Sequence, residues 1–214
     1  MSLETLETLF LVDMHIDLFP TRIYKYKLDS LELKNKIKER YNSWKDLSTN
    51  CTPDGWSCDV RTEFHGAFPP EFGDYYTDTL KQWRKDIGLS DRPYINEIWM
   101  NAYEEQQFQE SHTHLPGFFS AIHYTIFDPE VHETTVFQNP QESINSFMFD
   151  EDFMDYDINT HLREGYETEV EEGDLIIFPS NLRHFVRRNS SKQLRVTVSF
   201  NINRVAESTR RVFA

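Results

Sequence analysis

The chain has 214 residues, of which 14% are aromatic and only 7 are glycine, and it carries a formal net charge of −14. This length suits one domain around a single core, and the composition excludes a disordered or fibrous protein. The acidity argues against nucleic acid or an anionic membrane surface as a partner, because like charges repel. We therefore expect no nucleic-acid and no membrane partner.

The first part of the chain, residues 1–93, predicts a mainly helical support. Asp29 with Glu32 predicts an N-cap and capping box for a helix that runs to about Leu47. Its apolar face consists of Leu33, Ile37, Tyr41 and Trp44. A second helix is predicted after Pro69-Pro70, ending at Gly88 and burying Tyr76, Leu80, Trp83 and Ile87. Between the helices, Trp56 to Thr62 is expected to add an outer strand.

Cys51 and Cys58 are the only cysteines, and without a second pair they indicate neither a zinc ribbon nor a secreted disulfide scaffold. Met1 to Asp17 is acidic and lacks the basic start of a signal peptide. No stretch is long enough to span a membrane. These observations predict reduced thiols and a cytoplasmic protein.

From Tyr94 onward, short runs typical of β-strands replace the helical pattern, which predicts a mainly β core over residues 94–203 and a tail over 204–214. The predicted strands are Tyr94 to Tyr103, Phe118 to Phe127, Thr134 to Phe137, Thr168 to Val170, Asp174 to Phe178, Phe185 to Arg187 and Leu194 to Asn203. We expect the whole chain to form a single domain.

Three histidines are candidate metal ligands. His112 and His114 are two residues apart, so on one strand both imidazoles would point to the same face. His184 from a distant strand would complete a facial triad. Glu110 lies on the same predicted strand face and is the alternative source of a third ligand. The other five histidines have no partner at a useful spacing and are expected to be ordinary polar residues: His15, His65, His123, His132 and His161.

An acidic segment, residues 140–167, lies between the two halves of this metal motif. It lacks the glycine and the final glutamate of an EF-hand, so calcium binding is disfavoured. We expect a solvated loop, with a lid over the site as the alternative. The C-terminal arginines, Arg204, Arg210 and Arg211, could pair with such a loop or form a subunit contact, which leaves a homodimer open.

The last strand alternates strictly between polar and apolar residues. Its even positions, from Val196 to Ile202, predict the face packed on the core. Its odd positions start with Arg195 and continue with short hydroxyl and amide side chains, which suit a polar pocket. Arg195 could clamp a carboxylate in a bidentate way, or could pair with a neighbouring acidic residue at a sheet edge.

Together these motifs resemble the iron(II)- and 2-oxoglutarate-dependent oxygenases. The shared features are His-x-(acid or His), a second His after a Gly-Asp-x-x-x-Phe-Pro turn, and an Arg-x-Thr/Ser one strand later, here 11 residues after His184. The resemblance is closer to a branch found in phages and marine bacteria, in which His-x-His replaces His-x-Asp. It covers about residues 94 to 203, including Trp99-x-Asn101, Ser120 to Tyr124, Phe178-Pro179-Ser180 and Phe200-Asn201.

The resemblance implies a double-stranded β-helix, the jelly-roll core that this family shares with the cupins. It further implies Fe(II) bound by His112, His114 and His184, with 2-oxoglutarate as cosubstrate. Arg195 would hold the far carboxylate of the cosubstrate, helped by Thr197 and the Tyr124 hydroxyl. The expected reaction is hydroxylation by dioxygen of an unactivated C–H bond in a small molecule or peptide, with conversion of 2-oxoglutarate to succinate and carbon dioxide.

One departure leaves two alternatives open. Most of the family has an Asp or Glu where this chain has His114, so three neutral imidazoles leave the site one unit more positive than the usual triad. The chain could therefore be a cupin-like three-His metalloenzyme that does not use 2-oxoglutarate. It could also be a non-catalytic barrel that binds metal poorly or binds zinc.

Overall fold

The structure is a computed structural model that describes residues 20–45, 61–63, 68–140 and 165–205. Several sequence predictions lie outside these residues: those for Cys51 and Cys58, for most of the acidic segment 140–167, for Arg210 and Arg211, and for His15, His65 and His161. In the described ranges, no helix combines the length and the apolar character needed to cross a membrane.

Two antiparallel sheets form the body of the protein, and this confirms the predicted jelly-roll core. The strands are β1 (Tyr24–Lys27), β2 (Arg61–Glu63), β3 (Arg92–Tyr103), β4 (Gln109–His112), β5 (Phe119–Ile126), β6 (Thr135–Gln138), β7 (Gly165–Glu167), β8 (Asp174–Pro179), β9 (His184–Val186) and β10 (Arg195–Val205). The six-stranded sheet has the order β1-β8-β5-β10-β3-β2 and the four-stranded sheet the order β4-β9-β6-β7.

The strand β10 is central to the six-stranded sheet, and its two faces differ as its alternation predicts. The even face, Val196, Val198, Phe200 and Ile202, is fully buried in the main hydrophobic cluster. That cluster also contains the apolar faces of the two helices, so the helices cover this side of the sheet. Burial of these side chains is the main source of stability for the contact. The odd face of β10 is left to line the interior of the barrel.

Both helices lie where the sequence predicts them, but the first helix begins one residue later than predicted. Helix α1 spans Leu31–Trp44 and is capped by Ser30, whose Oγ accepts a hydrogen bond from the Leu33 backbone N–H. The prediction of Asp29 as the cap was wrong, because the chain is still extended at Ser30 and the helix begins one residue later. A 3₁₀ helix, Pro70–Tyr76, leads into α2 (Thr77–Asp86), and Gly88 ends it at a positive φ of 66°.

Three strands of the structure, β1, β7 and β4, differ from what the sequence predicts. β1 was not predicted; it is a four-residue edge strand paired with β8, too short to give a periodic signal. The strand expected at Thr168 to Val170 lies earlier, at β7, where it pairs with β6. β4 was expected to include both members of the His-x-His pair, but it ends at His112.

Candidate metal centre

The imidazoles of His112, His114 and His184 converge at one mouth of the barrel. His112 is the last residue of β4 and His184 the first of β9, and the two are direct register partners. His114 lies two residues beyond the end of β4. The expectation that one straight strand presents both members of the pair was therefore wrong. A turn positions the second imidazole instead.

Backbone carbonyls fix the orientation of two of the rings. The His112 Nδ1–H donates to the Glu110 carbonyl at 2.7 Å, and the His184 Nδ1–H donates to the Leu182 carbonyl at 3.0 Å. In both rings the proton is therefore on Nδ1, and Nε2 carries the lone pair that a metal ligand needs. His114 Nε2 lies 3.2 Å from His184 Nε2. Two nitrogens at right angles around one ion, each about 2.1 Å from it, are about 3.0 Å apart.

The cluster therefore fits a metal ion. One ligand atom from each histidine lies within 4.8 Å of the other two. Burial lowers the pKa of His114 to about 3 and lowers the pKa values of His112 and His184, so all three rings are neutral, as ligation requires. Glu110 is not part of this geometric cluster; its backbone carbonyl, rather than its carboxylate, supports the site.

A tight turn holds His114 in place. The His114 backbone N–H donates to the Ser180 carbonyl at 2.8 Å, and the Gly117 N–H donates to the His114 carbonyl at 2.9 Å. A Cβ at Gly117 would lie 2.8 Å from Ser180 Oγ and 2.9 Å from the His114 carbonyl oxygen, so only glycine fits without a shift. The Trp99 indole packs on the His114 ring at 5.3 Å between centroids.

Arg195 is buried deep in the barrel, only 1% exposed. Its guanidinium is surrounded by aromatic rings, with Tyr103 at 4.4 Å and Tyr124 at 5.5 Å from ring centroid to Cζ. Its Nε donates to the Glu133 carbonyl at 2.9 Å, but its Nη1 is buried without a hydrogen-bond partner among the described residues. Within this part of the chain, no carboxylate forms an ion pair with the guanidinium either. A buried cation in this state is costly and fits an anion that the described residues do not supply.

An inner cavity joins the three histidines to Arg195. Thr197 and Ser199 of β10 line it, together with Thr135, whose buried Oγ1 also has no hydrogen-bond partner. The cavity is narrow, with free space of about 10 Å³, which is room for roughly one water. A larger ligand therefore requires the lining side chains to shift outward.

Tyr124, predicted to help bind the cosubstrate, is not among the residues that line this cavity. Its hydroxyl accepts a hydrogen bond from the Thr135 backbone N–H at 3.3 Å and lies 3.3 Å from Thr134 Oγ1. Its ring supports the Arg195 guanidinium, so the structure brings Tyr124 near the predicted carboxylate site but directs its hydroxyl to the backbone of β6.

An outer cavity of about 320 Å³ opens on the other side of His114. It is within the size range of small-molecule sites. Trp99, Asn101, Gln109 and His114 line both cavities, so the two are adjacent. Sequence reasoning assigned no role to Trp99, Gln109 or Thr135. The alternation of Trp99, Asn101 and Tyr103 along β3 could have indicated that these side chains line the cavity. They pair with the polar face of the neighbouring strand β10.

The two described histidines outside the site are ordinary polar residues, as predicted. The His123 Nε2–H donates to the Leu28 carbonyl at 3.2 Å, and its Nδ1 accepts from the Tyr76 hydroxyl at 3.1 Å. His132 Nε2 donates to the Gln193 carbonyl at 3.1 Å. Both imidazoles serve to satisfy buried polar groups.

Residues 97–201 match a family model described as "Putative 2OG-Fe(II) oxygenase". Solved structures with a similar fold include a prolyl-4-hydroxylase from Pseudomonas putida, with a TM-score of 0.56, 13% identity, and coverage of 86% of this chain and 94% of that one. The viral collagen prolyl hydroxylase of Paramecium Bursaria Chlorella virus-1 has a TM-score of 0.55 and 11% identity, covering 86% and 96%.

The carbocyclase SnoK of nogalamycin biosynthesis, described as non-heme and alpha-ketoglutarate-dependent, has a TM-score of 0.61 and 11% identity, covering 85% and 80%. At these identities the likeness concerns the fold alone. No curated protein sequence matches the chain.

Proposed function

Because the chain belongs to the 2OG-Fe(II) oxygenase family through its residues 97–201, we propose that it hydroxylates an unactivated C–H bond of a small molecule or peptide. The reaction would use dioxygen as the oxidant: one oxygen atom would enter the substrate hydroxyl, and the other would enter the succinate formed as 2-oxoglutarate loses carbon dioxide. His112, His114 and His184 would hold Fe(II), and Arg195 with Thr197 would hold the far carboxylate of 2-oxoglutarate.

The observation that carries this proposal is the buried guanidinium of Arg195, which forms no ion pair with any described residue. Its Nη1 has no hydrogen-bond partner among these residues, and it lies at a cavity that the three candidate ligand imidazoles also line. A dicarboxylate that reaches from the metal to Arg195 would satisfy this cation. Thr197 and Thr135 provide hydroxyl donors in the same cavity, so the carboxylate would receive several hydrogen bonds rather than one.

The remaining residues of the cavity would orient the reactants and exclude water. Tyr103 packs on the Arg195 guanidinium, and Ile122 and Val186 add apolar surface to the lining. The carbonyls of Glu110 and Leu182 hold two imidazoles as the Nδ1–H tautomer, so Nε2 carries the lone pair that would bind the metal ion. When bound, Fe(II) and 2-oxoglutarate would activate dioxygen, which is the oxidant of both the cosubstrate and the substrate in this family.

Three neutral imidazoles in place of two and a carboxylate favour a second candidate, a three-His metalloenzyme that does not use 2-oxoglutarate. In that case Arg195 would bind a carboxylate of the substrate. The two candidates differ in whether 2-oxoglutarate itself chelates the metal.

Anaerobic titration of the Fe(II)-loaded protein with 2-oxoglutarate separates them. We expect the visible charge-transfer band that appears only when the keto acid chelates Fe(II). In Arg195→Ala the band should need at least tenfold more 2-oxoglutarate, because the buried charge-assisted contact is lost. Bound iron without a band would support the three-His alternative. Failure to bind iron at all would support a non-catalytic barrel.

The other expectations from the sequence stay predictions. These are the small-molecule or peptide substrate, the lack of a nucleic-acid or membrane partner, the cytoplasmic location and the open alternative of a homodimer. Size-exclusion chromatography with light scattering would test the last of these.

A further inference from the structure

The outer cavity has an uneven charge. Among the described residues that line it, Glu97 is the one Asp, Glu, Lys or Arg; the rest are mostly amides, hydroxyls and the rings of Trp99 and His114. Glu97 is half-buried beside the candidate metal cluster. The fold does not require a carboxylate here, because a neutral polar side chain would also fit at this position of β3.

A β-bulge aims this carboxylate into the cavity. Asn201 pairs with Glu97, but the next residue of β10, Ile202, pairs with Ile95, so Asn96 is an extra residue on β3. In a regular strand Asn96 and Glu97 would point to opposite faces, yet both line the cavity. Bulges occur often beside functional sites, where they redirect side chains.

A chain of hydrogen bonds fixes the Glu97 carboxylate. Asn201 Nδ2 donates to Glu97 Oε2 at 2.9 Å, and Ser120 Oγ donates to Asn201 Oδ1 at 2.9 Å. Ser120 Oγ is also 2.8 Å from Ser180 Oγ, beneath the turn that positions His114. The orientation of the carboxylate is therefore set before any ligand arrives, which lowers the entropic cost of binding.

The carboxylate has no cationic partner within residues 20–45, 61–63, 68–140 and 165–205. Arg204, on the neighbouring strand β10, pairs with Asp91 at 2.9 Å. Among the described residues, the Asn201 amide is the only hydrogen-bond donor to Glu97, and this leaves Oε1 without a hydrogen bond from them. Trp99, two residues along β3, adds an aromatic face to the same cavity, a second feature that attracts organic cations.

From these observations we propose that Glu97 binds a positively charged group of the substrate, an alkylammonium or a guanidinium. The reaction that this substrate would undergo rests on the proposed function, whereas the binding of a cation at Glu97 does not depend on that function. Trp99 lines both cavities and is about 7 Å from Glu97 along the strand. The cation would thus be anchored close to the metal, with a short carbon chain between it and the oxidised position.

The test is a comparison of matched probes by ligand-observed NMR on the full chain. n-Pentylammonium and propylguanidinium are the cationic probes, and n-pentanol and propylurea are their neutral counterparts. We expect the cations to bind ten to a hundred times more tightly, the range for a charge-assisted contact to a partly buried carboxylate. Glu97→Gln should abolish the preference, and Glu97→Lys should transfer it to pentanoate. Glu105→Gln, an exposed carboxylate away from both cavities, is the matched control and should keep it.

Equal binding of neutral and cationic probes, no binding of any probe, or a preference that survives in Glu97→Gln would each overturn the proposal. The comparison within the wild-type protein does not depend on whether a variant folds. The charge-transfer titration is run on the same preparation. A cation preference without that band would contradict the oxygenase reaction and leave the Glu97 site supported. A band without the cation preference would support the oxygenase reaction and contradict the Glu97 site.

Discussion

His112 and His184 face each other across β4 and β9, and each donates its Nδ1–H to the carbonyl of the residue two positions before it. The two strands thus orient their imidazoles by the same local device, without help from a carboxylate. The third imidazole, His114, is positioned differently, by a turn and by packing on Trp99. Because His114 is held by a different type of contact, we expect a substitution to be tolerated best at this one of the three ligand positions.

His114→Asp should therefore produce a functional two-His, one-carboxylate site. The added negative charge should raise the affinity for Fe(II) by about tenfold, because an anionic oxygen replaces a neutral nitrogen next to a dication. Metal affinity is measured by anaerobic competition with a chelator, with His184→Ala as the variant that should lose iron. If His114→Asp lowers stability without any gain in affinity, position 114 does not ligate the metal.

Arg195→Met should raise the stability of the metal-free protein while destroying 2-oxoglutarate binding. The guanidinium is buried with an unpartnered Nη1, so an apolar side chain of similar length removes a desolvation cost of about 1–3 kcal/mol. Urea unfolding with and without 2-oxoglutarate checks both parts. A large loss of stability in the absence of ligand would mean that Arg195 is structural.

Thr197→Val and Tyr124→Phe should differ in their effect on the cosubstrate. Thr197 lines the inner cavity, whereas the Tyr124 hydroxyl bonds to the backbone of Thr135. We expect Thr197→Val to weaken 2-oxoglutarate binding by roughly tenfold, the value of one charge-assisted hydrogen bond. Tyr124→Phe should change binding by less than about threefold. The opposite order in the charge-transfer titration would mean that the Tyr124 hydroxyl turns inward on binding.

Gly117→Ala should disturb the metal site through the backbone. The new Cβ would meet the His114 carbonyl oxygen at 2.9 Å and Ser180 Oγ at 2.8 Å, and the carbonyl cannot rotate away as a side chain can. We expect a loss of about 1–3 kcal/mol in the free energy of unfolding and weaker iron binding. Gly88→Ala, also at a glycine but remote from the site, controls for general destabilisation: it should leave iron affinity unchanged.

The stability of the metal-free protein should fall in acid partly through His123. Burial lowers the pKa of His123 to about 4 from its ordinary 6.5. The unfolded chain therefore takes up the proton first, so this contribution is complete above pH 6.5 and is lost as the pH falls through about 4. The maximum is about 3 kcal/mol at 1.36 kcal/mol per pKa unit.

His123→Gln should flatten this part of the pH profile, because Gln can still donate to the Leu28 carbonyl and accept from the Tyr76 hydroxyl. Urea unfolding at pH 7.5, 6 and 4.5 compares the two proteins. A constant difference between them across this range would show that His123 is not the titrating group.

The sequence by itself determined the elements whose signals are local. The alternation from Arg195 to Asn203 predicted a strand with one core face and one polar face, because side chains in a strand point to opposite sides at every step. Helical spacing likewise predicted the buried faces of both helices, and the spacing of His112, His114 and His184 indicated a metal site. Except for the contribution of His184, which is 70 residues beyond His114, each of these signals depends on neighbours within a few residues along the chain.

Tertiary structure alone decided the rest. Which side chains share a cavity depends on the register between strands far apart in the chain, and a short segment such as β1 becomes a strand only because β8 offers it hydrogen bonds. The same register sets Glu97 opposite Asn201 and leaves the Nη1 of Arg195 without a hydrogen-bond partner among the described residues. An unpaired buried charge is defined by everything around it, so no local pattern in the sequence can reveal it.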